Sequence, residues 1–172
     1  MDYNIMLIGF MGTGKSTVSK AISLMMKIEE TDMDTYIVER AGMSINDIFS
    51  KYGEERFRDI EAECVKEICS ESGKIVSCGG GAVLRDENVE CMKKNGLIVL
   101  LTAEAGTVYD RVKNSTDRPV LNGNMNVEYI AQLMEKRKDR YHEVADIIIA
   151  TDDKTPEDIA SEMLVEIQKY KK

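Results

Sequence analysis

Eight consecutive residues near the N-terminus have the types and spacing needed to bind phosphate groups. Residues 9–16 read Gly-Phe-Met-Gly-Thr-Gly-Lys-Ser, which matches the pattern G-x-x-x-x-G-K-[ST]. Glycines let several backbone N–H groups converge on phosphate oxygens, and a helix that begins behind them adds the positive end of its dipole. In such a loop Lys15 reaches the β- and γ-phosphates, and the Ser16 hydroxyl ligates Mg²⁺. The motif predicts a nucleotide site made by Gly12, Thr13, Gly14, Lys15, Ser16 and Thr17.

The segments on both sides of this loop have the patterns that such a site requires. Residues 5–8 form a short apolar run, and residues 15–26 place apolar side chains at helical spacing. Further short apolar runs lie at 75–77, 97–101 and 147–149, a weaker one lies near 27–31, and amphipathic segments separate them. This alternation is typical of a parallel β-sheet with crossover helices. A glycine-rich turn that matched the motif by chance would lack this strand and helix. We expect residues 1–172 to form one domain, because this length is typical of a single domain.

Composition excludes several classes of protein. The 31 acidic residues outnumber the 23 basic ones and give a net charge of −8, which argues against nucleic acid as a partner. The first residues lack the basic start of a signal peptide, and no segment approaches the ~20 apolar residues of a membrane span. From these two features we expect a protein that does not bind membranes. The four cysteines include no C-x-x-C pair, so we expect buried, reduced thiols and a cytoplasmic location.

Nucleotide binding alone would fit a GTPase, an ATPase or a kinase of small molecules. A guanine-reading N-K-x-D motif is absent, and the chain leaves little room for the coupling apparatus of an ATPase. Phosphoryl transfer to a small acceptor remains. Candidate acceptor groups follow successive predicted strands, at the edge where open α/β sheets bind ligands. They are Asp32 and Asp34, then Phe57, Arg58 and Glu61 on a helix, then Gly79–Gly81, and Arg137 on a later helix.

Together these motifs resemble those of the shikimate kinase family. The shared patterns are D-x-D at 32–34, G-E-x-x-F-R-x-x-E at 53–61, the triple glycine at 79–81 and R-x-x-x-Y-x-E-V-A-D at 137–146. The resemblance runs from residue 5 to about residue 156. It implies a three-layer α/β/α fold with five parallel strands in the order 2-3-1-4-5. It also implies a substrate-binding region at about 34–61 and a lid at about 114–126, where Arg-Pro-Val-Leu looks like the family's R-P-L-L.

The resemblance implies transfer of the γ-phosphate of Mg-ATP to the 3-hydroxyl of shikimate, which has one carboxylate and three hydroxyls. Guanidinium groups match carboxylates bidentately, so two arginines suit the carboxylate, and an aspartate suits the reacting hydroxyl as base or orienting group. The implied acceptor site comprises Asp34, Phe57, Arg58, Gly79, Gly80, Gly81 and Arg137.

The resemblance also assigns the nucleotide end of the site. Asp32 would join Ser16 in holding Mg²⁺, directly or through water. Arg118 would move in with the lid to neutralise charge on the transferred group, while Arg111 and Pro156 would flank the adenine. Lys15, Asp34 and Arg118 form the implied catalytic set.

Each assignment has a structural alternative. Asp32 or Asp34 could cap a helix, Arg58 could pair with Glu61 on a solvated face, and Pro156 could serve only to begin a helix. The glycines could form a plain turn, and Arg137 lies in a charged run over 136–140 that could be solvated.

The sequence also departs from the family pattern. Lys27 and Glu30 stand where the family commonly has Gly and an aromatic residue, and Asp139 and Arg140 replace a usual Pro-Leu. The first pair bears on the packing of the second strand, and the second pair bears on the angle of Arg137. Two other functions stay open: a kinase of the same fold that phosphorylates gluconate or a nucleoside monophosphate, and a non-catalytic nucleotide-binding regulator. We expect a monomer.

Overall fold

A five-stranded parallel sheet in the order β2-β3-β1-β4-β5 organises the protein. The computed structural model describes residues 1–114 and 125–170. The strands are β1 (Asn4–Ile8), β2 (Glu30–Asp32), β3 (Ile75–Ser77), β4 (Gly96–Thr102) and β5 (Ile147–Ala150). All four neighbouring pairs are parallel. The order and the parallel sheet predicted from the sequence are confirmed.

Helices cover both faces of the sheet and complete three layers. They are α1 (Lys15–Met26), α2 (Met33–Ala41), α3 (Ile45–Cys69), α4 (Asp86–Asn95), α5 (Ala105–Val112), α6 (Val127–Val144) and α7 (Pro156–Lys169). Helices α1 and α7 bury one core against the sheet, and helices from α2 to α6 bury the other. A short 3₁₀ turn, Ala82–Leu84, follows the triple glycine and was not predicted.

The central strands are apolar because both of their faces are covered. In β1, Ile5 and Leu7 pack toward α1 and α7, whereas Met6 and Ile8 pack toward the opposite helices. Each of these side chains is almost fully buried. Such burial contributes about 1.5–3 kcal/mol for each large apolar side chain. The phosphate loop therefore begins at the carboxyl end of a strand that is stabilised by burial on both faces.

Strand β2 lies later in the chain than the predicted 27–31. Lys27 adopts a left-handed conformation (φ 56°) that ends α1, so the chain turns there instead of extending. Glu30 then opens the strand, and its polar side chain is satisfied because the Ser19 hydroxyl donates to its Oε1 at 2.7 Å. These contacts explain how a polar segment can enter the sheet.

Two helical segments predicted on either side of Gly53 form the single run α3, which is broken at that glycine (φ 82°, ψ 171°). The predicted start of α7 is confirmed, since Thr155 and Asp158 form a reciprocal capping box and Pro156 is the first helical residue. Most of the predicted lid lies outside the described residues. None of the helices in the described ranges is long and apolar enough to cross a membrane.

Candidate active site

The phosphate loop joins β1 to α1 and is shaped by two glycines with left-handed backbones. Gly12 has φ 76° and Gly14 has φ 96°, conformations that residues with a Cβ rarely adopt. Gly14 immediately precedes α1 and has no side chain that could cap it, which leaves the first turn suited to a bound anion. A hydrogen bond within the loop stabilises its conformation, since the buried Thr13 hydroxyl donates to the Phe10 carbonyl at 2.8 Å.

Lys15 lies over this loop, and its ammonium group donates to the carbonyls of Gly9 and Phe10 at 3.0 Å each. A cavity of about 510 Å³ opens here and is lined by the loop, by Asp32 and Asp34, and by Gly79 and Gly80. Lys15 itself also lines this cavity. This is the position from which a lysine can contact transferring phosphoryl oxygens.

Three oxygen-bearing side chains meet at the first turn of α1. The Ser16 hydroxyl donates to Asp32 Oδ2 at 2.7 Å and lies 3.1 Å from the Ser77 hydroxyl. Asp32 also caps α2, since its Oδ1 accepts from the Thr35 N–H at 3.1 Å. The capping alternative raised by the sequence is therefore present together with the contact to Ser16. Hydroxyl and carboxylate oxygens are the ligands that Mg²⁺ prefers.

These groups do not make a metal cage of protein ligands. Within residues 1–114 and 125–170, no group of three or more His, Cys, Asp and Glu side chains gathers closely enough to hold a metal ion. Magnesium in kinase sites keeps several waters and takes other ligands from substrate phosphates. The pair Ser16 and Asp32 fits that mode of binding.

The two residues expected beside adenine, Arg111 and Pro156, both line this cavity. The Arg111 guanidinium donates to the Gly12 carbonyl at 3.2 Å and to the carbonyl of Thr151 at 2.9 Å. Pro156 lines the same cavity at the start of α7. Arg111 thereby fixes the phosphate loop to the segment after β5. Arg111 and Pro156 are far apart in the sequence, but both line the same cavity.

A buried ion pair lies beside the triple glycine. Arg58 donates to Glu61 Oε2 at 2.8 Å and to Glu54 Oε1 at 3.2 Å. The Glu61 side chain is only 1% exposed, so the pair does not lie on a solvated face. Burial raises the pKa of Glu61 above its ordinary range, although Arg58 acts in the opposite direction. Glu61 Oε1 has no hydrogen-bond partner among the described residues.

The triple glycine is packed against these charged groups more closely than a plain turn would require. A Cβ at Gly79 would lie 2.9 Å from Glu61 Oε1 and 3.3 Å from Asp34 Oδ1. A Cβ at Gly81 would overlap the guanidinium group of Arg58. A side chain at either position would have to displace Glu61 or Arg58, because those side chains occupy that space.

Arg137 reaches the same place from α6. Its Nη1 lies 3.5 Å from the Gly80 carbonyl oxygen, and its guanidinium carbon lies 6.0 Å from the centre of the Phe10 ring. The Tyr141 hydroxyl also donates to the Gly80 carbonyl. The structure thus brings Asp34, Arg58, the three glycines and Arg137 together next to the phosphate loop.

Some predicted positions have other outcomes. Arg118 lies outside the described residues. Phe57 is buried, with its ring centre 4.7 Å from that of Phe49 and 5.1 Å from the guanidinium carbon of Arg58, and its role in binding the substrate stays a prediction. His142 is exposed, as expected. Three cysteines are buried and Cys91 is half-buried, and burial raises the pKa of Cys78 to about 12.

The structure adds contacts for residues to which the sequence interpretation gave no role of their own. Ser77 and Lys154 line the cavity, and Tyr141 holds Gly80. Glu61 was predicted among the acceptor candidates without a role of its own, and its Oε1 lies 2.9 Å from the place that a Cβ on Gly79 would occupy. The three-residue spacing from Arg58 was the available signal for Glu61. Ser77 could have been found from its position at the end of β3.

Comparisons with known proteins agree with this geometry. The sequence model of the family "Shikimate kinase" matches residues 11–168. The shikimate kinase of Thermodesulfovibrio yellowstonii is 43% identical over 166 residues, covering 96% of this chain and 95% of that protein. The shikimate kinase of Geobacter sulfurreducens is 41% identical over 167 residues, covering 97% and 92%.

Solved structures give the same result. The shikimate kinase from Acinetobacter baumannii, determined in complex with shikimate, has a TM-score of 0.94 and 31% identity, with coverage of 98% of this chain and 94% of that one. A gluconokinase from Sinorhizobium meliloti has a TM-score of 0.62 at 18% identity with coverage of 98% and 93%, a likeness that shows the fold alone. With the family match over most of its length and relatives above 40% identity, this chain belongs to the shikimate kinase family.

Proposed function

We propose that this protein is an ATP-dependent kinase that transfers the γ-phosphate of Mg-ATP to the 3-hydroxyl of shikimate. The products are shikimate 3-phosphate and ADP, a step in the biosynthesis of chorismate and the aromatic amino acids. The observation that carries the proposal is the meeting of Arg58 and Arg137 with the triple glycine beside the phosphate loop. Two guanidinium groups suit a carboxylate, and an aspartate close to them suits a hydroxyl.

At the nucleotide end, the loop and the first turn of α1 would hold the phosphates. Ser16 and Asp32 would hold Mg²⁺, which when bound neutralises charge on the β- and γ-phosphate oxygens. Lys15 would contact the same oxygens from the cavity side. Arg111 and Pro156 would flank the adenine. The expected role of Arg118, charge neutralisation from the lid, completes this set as part of the proposal.

At the acceptor end, Arg58 and Arg137 would grip the carboxylate of shikimate. Asp34 would accept a hydrogen bond from the 3-hydroxyl, orient it toward the γ-phosphate and take its proton. A second acceptor lies nearby, because the buried Oε1 of Glu61 has no hydrogen-bond partner among the described residues and would suit another hydroxyl of the ligand. Attack occurs in line and needs no covalent intermediate on the protein, so catalysis rests on positioning and charge neutralisation.

Release of ADP by purified protein tests this proposal with several acceptors in parallel. Mg-ATP is supplied with shikimate, gluconate, AMP, CMP or no acceptor, and turnover with shikimate alone is expected. Turnover with gluconate or a nucleoside monophosphate would instead support a kinase of the same fold with another acceptor. ATP binding without turnover would support a non-catalytic regulator.

Two variants separate the roles within the site. Asp34→Asn should lower kcat and leave ATP binding intact, because the carboxylate acts on the acceptor hydroxyl. Arg137→Ala should raise the KM for shikimate and leave the KM for ATP unchanged. A single kinase domain, a monomeric state, a cytoplasmic location and the absence of nucleic-acid or membrane partners are retained in the proposal as expectations from the sequence.

A further inference from the structure

The glycine segment, residues 80–83, is held in place by hydrogen bonds to its backbone carbonyls. The Gly80 carbonyl accepts from the Tyr141 hydroxyl, the Ala82 carbonyl from Asn88 Nδ2 at 2.9 Å, and the Val83 carbonyl from Arg140 Nε at 2.8 Å. Glycines have no side chains with which to anchor themselves and are the most conformationally free residues. The position of this segment therefore depends on donors from α4 and α6.

Among these donors, Arg140 is the one that carries a charge. In the family pattern that the sequence resembles, Leu is usual at this position, and a leucine side chain cannot donate to the Val83 carbonyl. The Arg140 guanidinium also pairs with Asp86 and Glu143, but the side chains of these acids are 84% and 68% exposed. Exposed pairs of this kind contribute little. The contact that matters is the one to Val83, which is partly buried.

A shift of the glycine segment would also move Arg58 and Arg137, the residues proposed to bind the carboxylate of the acceptor. Gly81 lies against the Arg58 guanidinium, and Gly80 lies against Arg137. Arg137 and Arg140 are three residues apart on α6 and so share one face of the helix. The same short stretch of helix thus supplies a predicted carboxylate ligand and the donor that fixes the glycine segment.

We propose that Arg140 is a positioning residue for the acceptor: through the Val83 carbonyl it fixes the segment from Gly80 to Val83 against α6, and it thereby sets the spacing between Arg58 and Arg137. This inference rests on the proposed function. Arg140 is not one of the residues proposed to bind either substrate, and it would act through the backbone of its neighbours. Its effect should therefore appear in the KM for shikimate and not in the KM for ATP.

Steady-state kinetics of four variants test the inference. Arg140→Leu should raise the KM for shikimate about three- to tenfold, the loss expected when a partly buried charged donor is removed. Arg140→Lys keeps a donor and should recover part of this loss. Asp86→Asn should change the KM for shikimate by less than about twofold, since that pair is exposed. Lys138→Leu removes a positive charge from another face of α6 and should behave as wild type.

An unchanged KM for shikimate in Arg140→Leu would overturn the inference, and so would an equal rise of both KM values. A loss in Asp86→Asn as large as that in Arg140→Leu would also overturn it, because the ion pair would then be the important contact. Amide hydrogen exchange without substrates gives a second readout. Residues 80–84 should exchange faster in Arg140→Leu than in wild type or Lys138→Leu.

The two proposals fail in different ways. Absence of shikimate-dependent turnover in the wild-type protein would contradict the proposed function. The exchange measurement would then still decide whether Arg140 fixes the segment, and unchanged exchange would overturn that contact as well.

Discussion

Replacing Gly81 with Ala would displace Arg58 without straining the backbone. Gly81 has φ −103° and ψ −3°, a region that alanine adopts readily. A Cβ there would lie closer than 3.0 Å to three atoms of the Arg58 guanidinium, a separation that real Cβ atoms essentially never show. The atoms that must move are the end of a flexible side chain. The fold should therefore survive while the guanidinium leaves its place.

The size of the effect follows from the contact that is lost. Hydrogen bonds to charged groups contribute about 1.5–3 kcal/mol, and about 1.4 kcal/mol corresponds to a tenfold change in affinity. If Arg58 binds the shikimate carboxylate, Gly81→Ala should raise the KM for shikimate about ten- to a hundredfold. The KM for ATP should stay unchanged, because no atom of the phosphate loop is displaced.

The assay varies each substrate in turn, with thermal unfolding measured alongside. Gly106→Ala is the matched control, since the same methyl group added there meets nothing within 4 Å. Arg58→Ala should reproduce the loss, and the double variant should be no worse than Arg58→Ala alone. A normal KM for shikimate in Gly81→Ala, with the protein folded, would refute this account of Arg58.

Three further predictions concern stability, pH and metal. Lys27→Gly should raise the free energy of unfolding by about 0.5–1 kcal/mol, because it relieves a left-handed non-glycine residue; urea unfolding measures it. Glu61→Gln should abolish the decrease in the free energy of unfolding that Glu61 causes as the pH rises. Burial raises the pKa of Glu61 above 4.5, so folding takes up a proton just above that pH and wild-type stability falls as pH rises through the folded pKa. Ser16→Ala should lower kcat at least about tenfold and raise the Mg²⁺ concentration required, as a titration of activity with Mg²⁺ would show.

Each of these predictions has a control or a contrary outcome. Lys20→Gly lies inside α1 and should destabilise by about 1 kcal/mol, so a gain there would undermine the reasoning about Lys27. A stability difference between wild type and Glu61→Gln that stays constant with pH would mean that the pKa is not raised. An unchanged Mg²⁺ requirement in Ser16→Ala would remove the hydroxyl from the metal site.

The sequence predicted best those elements whose residues carry their own local signal. Strand β4 is a continuous apolar run, helix α1 has regular apolar spacing, and Thr155 with Pro156 marks the start of α7. Strand β2 was misplaced because its polar residues are satisfied by distant partners, as Glu30 is by Ser19. Periodicity cannot report such a contact.

In the site, too, local motifs were predicted from the sequence and contacts between distant residues were not. The phosphate loop is a local motif, and the structure places its residues at one cavity. The second oxygen of Glu61 and the carbonyl held by Arg140 depend on contacts between residues far apart in the chain, 57 residues in the case of Arg140 and Val83. Those contacts arise only when α3, α6 and the glycine segment meet. The lid and Arg118 stay predictions.

The most direct test of the central claim is the identity of the product. Protein, Mg-ATP and shikimate are incubated together, and ³¹P and ¹H NMR locate the transferred phosphate. We expect ADP and shikimate 3-phosphate in equal amounts, with phosphate on the 3-hydroxyl only. ADP and inorganic phosphate with unchanged shikimate, or phosphate on another hydroxyl, would contradict it.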